Sequence, residues 1–190
     1  MDMWKPFYQA VQAVCPKARI VIDRFHVEDH ALKALDQVRR RLQRNAGREE
    51  KDLLKSSRRF LLSDPRDLSE EERVNQEQVL SRYPELRRAT GLVKALNHWY
   101  ESSPDPQKAR SRLYYWYRRV WESRLSEFKE VTEMIRNWQI EILNYFFEHL
   151  TNGTTEGFNT KIKLIIRTAY GFSNFQHLRA RILLECSRGP

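Results

Sequence analysis

The stretch ARIVIDRFHV, residues 18–27, carries Ile20, Val21 and Ile22 as an unbroken β-branched run. Three such residues with no polar alternation predict a strand buried on both faces, the kind found in sheets covered by helices. A strand of that kind needs a neighbour on each edge, and no other segment of the 190 residues reads as one. The sheet around it is missing from the sequence. Helices are therefore expected to dominate, with residues 20–22 presenting a poorly anchored apolar edge that invites pairing with another chain.

The remaining segments read as helices. Residues 4–14 place Phe7, Ala10, Val11 and Val14 at the spacing of a short amphipathic helix, with Pro6 tolerated in its first turn. From His30 to about Leu62 the pattern sets Leu32, Leu35, Val38 and Leu42 inward and Arg39, Arg40, Arg41, Arg44 and Arg48 outward. SDPRDL predicts a turn, and Ser69 followed by Glu70, Glu71 and Glu72 has the form of a capping box opening a helix that runs to about Arg82. Pro84 starts another, with Leu86, Leu92, Val93, Leu96 and Trp99 on one face, and SSPDPQ is the clearest linker. Beyond it Leu113, Trp116 and Val120, then Phe128, Val131, Ile135, Trp138, Ile142 and Tyr145, alternate by three and four. That spacing predicts one long helix, or two divided near residues 123–126, packed as in a bundle. Tyr114, Tyr115, Trp116, Tyr117 and Trp121 are read as core rather than as base-stacking residues. A further helix is expected from about Glu156 to Thr168, capped by Thr154 or Thr155, and a last one from about Asn174 to Glu185.

Charge points to a polyanionic partner. Lys and Arg number 34 against 25 acids, a net charge of +9 with a pI near 9.7, and phosphate neutralisation supplies affinity independent of sequence. Residues 33–62 form one basic cluster and residues 151–190 a second. Cys15 and Cys186 are the only cysteines, so the sequence supports neither a disulfide framework nor a thiolate zinc site. No apolar run approaches the roughly 20 residues that span a bilayer, and residues 1–10 lack a signal pattern. A cytoplasmic protein without membrane contact is expected.

Three acids stand at element ends. Asp2 precedes the first helix, Asp23 ends the strand, and Glu156 opens a helix on which Thr160, Lys163 and Arg167 share its face. Hard divalent cations take a few carboxylates together with waters and substrate phosphates, and two such ions clamp the oxygens of a phosphoryl displacement. Each acid also has an ordinary reading: Asp2 as a terminal residue, Asp23 paired with Arg24 or Arg19, and Glu156 capping its helix against the dipole.

Four blocks, MDMWKPFYQAV, KARIVIDRFHV, NGTTEGFNTKIK and RTAYGFSNFQHLRARILL, resemble in this order the C-terminal part of DDE-type transposases of the ISL-three family of bacterial insertion sequences. The resemblance implies a mainly α chain holding an incomplete RNase H-like α/β core, its last strand and flanking helices, interrupted by a large helical insertion. Residues 1–32 would be core, 33–150 the insertion, and 151–190 the Glu-bearing helix and C-terminal helix of the core. Asp2 matches the second acid of the metal-binding triad, with Asp23 its rival, and Glu156 matches the third; His26 and Asn159 are supporting residues. Mg²⁺ or Mn²⁺ would be the cofactor. DNA, as element ends and target, would be the partner, contacted by Lys161, Lys163, Arg167, Arg39 and Arg40, with full-length transposase or self-association as further partners. The first acid and the zinc-binding region of the family would lie upstream of Met1, so the chain is expected to be a truncated transposase that neither cuts nor joins DNA alone. The alternative is a non-catalytic DNA-binding or transposase-interacting module.

Overall fold

The computed structural model describes residues 1–149, 153–169 and 174–186, apart from the side chains of residues 153–156 and Asn159. The described residues are mainly helical, with no strand among them, and fall into two compact units, Met1–His149 and Leu150–Pro190. In the first unit, α1 spans Lys5–Val14, α2 Arg24–Asn45, α3 Arg48–Ser56 and α4 Arg58–Leu62. A 3-10 turn at Pro65–Asp67 leads to α5 at Glu70–Arg82, α6 at Pro84–Ser102 and α7 at Pro106–Ser123. Three shorter helices follow: α8 at Phe128–Asn137, α9 at Gln139–Leu143 and α10 at Tyr145–Glu148.

Most boundaries have a local cause. Ser69 accepts a hydrogen bond from the Glu72 amide while Glu72 accepts from the Ser69 amide, so the expected capping box opens α5. Pro84 and Pro106 occupy first-turn positions that need no donor, and Asp105 caps α7 through the Lys108 amide. The long apolar stripe is divided near residues 123–126 as anticipated, since α7 stops at Arg124, which takes the left-handed φ of 58°, and α8 starts four residues later; its second part, expected as one helix, is instead three, broken at Trp138 and Asn144. The expected helix over residues 30–62 is instead three helices, broken at Ala46-Gly47 and again at Ser57.

The core of this unit lies where α2 packs along α6 and α6 along α7, with α8 also packed against α2. All nine stripe positions from Leu113 to Tyr145 are buried, as are Leu35, Val38, Leu86, Leu96 and Trp99. Two buried indoles join helices by donating to main-chain carbonyls, Trp99 to Ala109 at 2.8 Å and Trp116 to Leu92 at 3.0 Å, which satisfies the one polar atom of each ring. Trp99, Tyr100, Tyr145 and Phe146 form an aromatic cluster, mostly edge-to-face but with Tyr100 stacked on Phe146, and Trp99 and Tyr100 centroids are 4.5 Å apart.

Residues 20–22 depart from expectation twice. They are not a strand, and they are not poorly anchored. Ile22 is fully buried, its amide donates to the Glu141 carbonyl at 3.1 Å, and the Asn144 side-chain amide donates to the Ile20 carbonyl at 2.7 Å. The α9–α10 region thus satisfies backbone groups that a neighbouring strand would otherwise pair, and the apolar side chains enter the helical core. α1 also differs: its buried-side residues are Tyr8, edge-on to Trp138 at 5.5 Å, and Val11, whereas Phe7 and Val14 are exposed.

The second unit holds α11 at Gly153–Thr168 and α12 at Phe175–Cys186, packed against one another, and Ile165 of α11 is buried. α12 is capped by Asn174, whose side chain accepts from the Gln176 amide. The start of α11 is at Gly153, and the capping expected of Thr154 or Thr155 lies outside the described side chains.

Candidate acidic site

The N-terminal ammonium of Met1 donates to the Val21 carbonyl at 2.8 Å, and the Asp23 amide donates to the Met1 carbonyl at 3.3 Å. Residue 1 thereby bonds to residues on either side of Ile22, the pattern made by one rung of a parallel ladder. Burial holds the Met1 ammonium below its ordinary pKa, against the opposing pull of Asp23 and Asp2. This rung sets Asp2 beside the start of α2.

Asp2 is 69% exposed at its side chain, and its Oδ1 lies 2.5 Å from His26 Nε2 in the first turn of α2. Asp23, by contrast, is buried, and its Oδ1 accepts from the Phe25 amide at 2.8 Å as the N-cap of α2. Part of Asp23 is therefore committed to ending the chain's extended stretch and starting a helix. Glu28, a turn further along, faces α6. Burial raises its pKa, opposed by Arg24, whose Nε is 2.6 Å away and whose Nη2 reaches Glu101 at 3.2 Å. Among the described residues no three His, Cys, Asp or Glu side chains are grouped so as to hold a metal ion. What they bring together is Asp2 with His26, each occupied by the other.

Glu156 belongs to the second unit, within α11, and its side chain and that of Asn159 lie outside the described residues. On the same stripe of α11, Thr160, Lys163 and Arg167 are exposed, whereas Lys161 falls off that stripe and is half-buried. Of the two cations of the first basic cluster expected to contact DNA, Arg39 proves to be internal. It is 4% exposed and donates to Asp36 at 2.8 Å, to Gln43 and to the Leu54 carbonyl, so it ties α2 to α3 rather than facing outward. Arg40 is exposed but pairs with Asp36 at 2.7 Å.

The aromatic stripe divides in a way the sequence reading did not. Trp116 is buried and Tyr117 half-buried, as expected of core residues, but Tyr114, Tyr115 and Trp121 are 68%, 64% and 81% exposed. The signal was present in the spacing, since Leu113, Trp116 and Val120 already define the inward face and leave residues 114, 115 and 121 off it. The capping role of Asp23 was likewise written in the helical pattern that starts right after it.

The chain is strongly basic, its described residues are mainly helical, and they pair the exposed Asp2 with the half-buried His26. The comparisons with known proteins point to one family: a family model described as Transposase, of the DDE ISL-three type, matches residues 1–182, and the chain belongs to that family. It is 30% identical over 193 aligned positions to the transposase for insertion sequence element IS1557 of Mycobacterium tuberculosis, an alignment covering 90% of this chain and 43% of that protein. The transposase for insertion sequence element IS1001 of Bordetella parapertussis is 27% identical over 186 positions, covering 96% of this chain and 45% of that protein. The chain spans less than half the length of these curated relatives. No solved structure matches it.

Proposed function

We propose that this chain supplies the second and third acids of a DNA transposase site, Asp2 and Glu156, and that by itself it binds DNA without cutting or joining it. The observation that carries the proposal is the placement of Asp2, exposed beside His26 at the end of a parallel rung, in a chain whose family match takes in both Asp2 and Glu156. In an RNase H-like core an acid leaves the end of a central strand, and the Met1–Ile22 rung supports that fold for residues 1–32. His26 orients the Asp2 carboxylate, and Asp23, committed to capping α2, supports the neighbouring turn instead of competing for the role. Lys163 and Arg167, on the stripe of Glu156, are the cations proposed to meet a phosphate backbone; Lys161, Arg40 and Asn159 are weaker candidates.

Mg²⁺ or Mn²⁺ is the cofactor proposed for the family's phosphodiester chemistry, in which the ion activates a water and stabilises developing charge on oxygen. Asp2 and Glu156 are the residues of this chain that would hold it, two of the three acids of the triad, and the proposed inactivity of the chain alone rests on that count. The purified chain incubated with element-end DNA and either ion is expected to bind the duplex, with affinity falling steeply as salt rises, and to leave every strand intact. Strand cleavage or joining would overturn the proposed inactivity, and salt-independent or absent binding would overturn the DNA reading.

A further inference from the structure

Helix α7 carries Lys108, Arg110, Arg112, Arg118 and Arg119 against the single acid Glu122, and exposes Tyr114, Tyr115 and Trp121 among them. Exposed aromatics of this size are left in water at a cost unless something covers them, and here the surrounding charge is mostly positive, the acid Glu122 being paired with Arg118 at 2.7 Å. We infer that this face of α7 is a docking surface for single-stranded DNA, on which unpaired bases stack against Trp121, Tyr114 and Tyr115 while the arginines hold the backbone. The inference rests on the proposal that DNA is the partner and adds the form of DNA and the surface that takes it.

Each flank of α7 opens onto a groove. Towards α8, a groove of about 430 Å³ is lined by Tyr117, Trp121, Arg124, Lys129 and Arg136, with one acid, Glu133. Towards α6, a groove of about 390 Å³ is lined by His98, Arg112, Tyr115 and Arg119. Both combine a wide aromatic ring with two or more cations, the pairing that sequence-tolerant single-strand sites use. Tyr117 shows how such a ring is held: Arg136 lies 5.1 Å over its face, and burial raises its pKa to about 12, so it remains a neutral ring. Tyr114 and Trp121 are seven residues apart on one side of the helix, about 10 Å along its axis, a reach of about two or three nucleotides.

Duplex DNA does not need these rings, because its bases are stacked inside and its phosphates answer to cations alone. The two forms can therefore be separated. Fluorescence anisotropy of a labelled 20-mer of thymidine, and of a duplex of the same length, would be read against the chain and three variants: W121A, W121F and Y114A/Y115A. Base stacking at such rings predicts that W121A weakens single-strand binding by about fivefold or more and duplex binding by less than about twofold, with W121F keeping most of the affinity. Y114A/Y115A is expected to act in the same sense. Replacing the oligonucleotide with an abasic backbone should weaken the wild-type chain and leave W121A nearly unaffected.

Single-strand affinity unchanged in both alanine variants would overturn the inference, as would equal losses on single strands and duplex. So would a W121A chain that instead dissociates a dimer in sedimentation, since the rings would then be covering a second copy. Duplex binding that persists while the aromatic variants are silent sinks this surface alone; binding of neither form sinks the DNA proposal as well.

Discussion

Asp2 and Asp23 are separated by what their carboxylates already do. Asp23 satisfies an amide at the head of α2, a service that Asn performs about equally well and Ala does not. D23A is expected to lose about 1 kcal/mol and to melt about 2–4 °C lower, while D23N stays within a few tenths of a kcal/mol of the parent. D2N, at an exposed carboxylate, is expected to change stability little. Thermal melts followed by circular dichroism would check all three, and equal losses in D23A and D23N would refute the capping role. Arg39 carries a related lesson. Removing one member of a buried pair leaves the other as an uncompensated charge, so Asp36, bonded also to Arg40, belongs to the architecture of the α2–α3 corner.

Arg41 joins three helices: from α2 it reaches Glu85 at the head of α6 and Glu127 just before α8, the latter at 2.7 Å. The hydrogen bond from Arg41 holds Glu85 below the ordinary carboxylate pKa, against a smaller opposing effect of burial. A lowered folded-state pKa means that the unfolded chain takes up the proton first. The contribution of Glu85 is therefore complete above its unfolded value near 4.5 and is lost as pH falls through the folded one. Between about pH 6 and pH 3.5 the melting temperature of E85Q is expected to fall less than that of the parent chain. Parallel acid profiles would disprove the link. The helical pattern places Arg41 among the outward cations. Its half-buried position between two acids on other helices is a tertiary fact that no 3.6-residue period contains.

At the scale of the molecule, what could be read from the sequence was local. The capping box at Ser69, the start at Pro84 and the buried stripe from Leu113 to Tyr145 all follow from spacing and turn chemistry within a few residues. The site was legible only in part. Asp2 stood out as an acid before a helix, but its bond to His26 depends on the chain returning after 20-odd residues, and Arg39 is internal because a separate helix, α3, arrives to accept its protons. The fate of residues 20–22 was illegible for the same reason: β-branched residues announce burial, not the partner that provides it. That partner is Asn144, 124 positions away, which with Glu141 fastens the extended segment to the far end of the first unit. Such a clasp closes a very long loop, and long loops are closed late in folding and opened early in unfolding. The Ile22 amide is thus a clock for the unit's integrity, expected to exchange its hydrogen slowly in the parent chain. In N144A, where the clasp loses its side-chain half, that exchange should accelerate well before the amides at the centre of α6 respond, as native-state hydrogen exchange would record. If the two sets of amides quicken together, the first unit opens all at once and residues 20–22 have no separate motion.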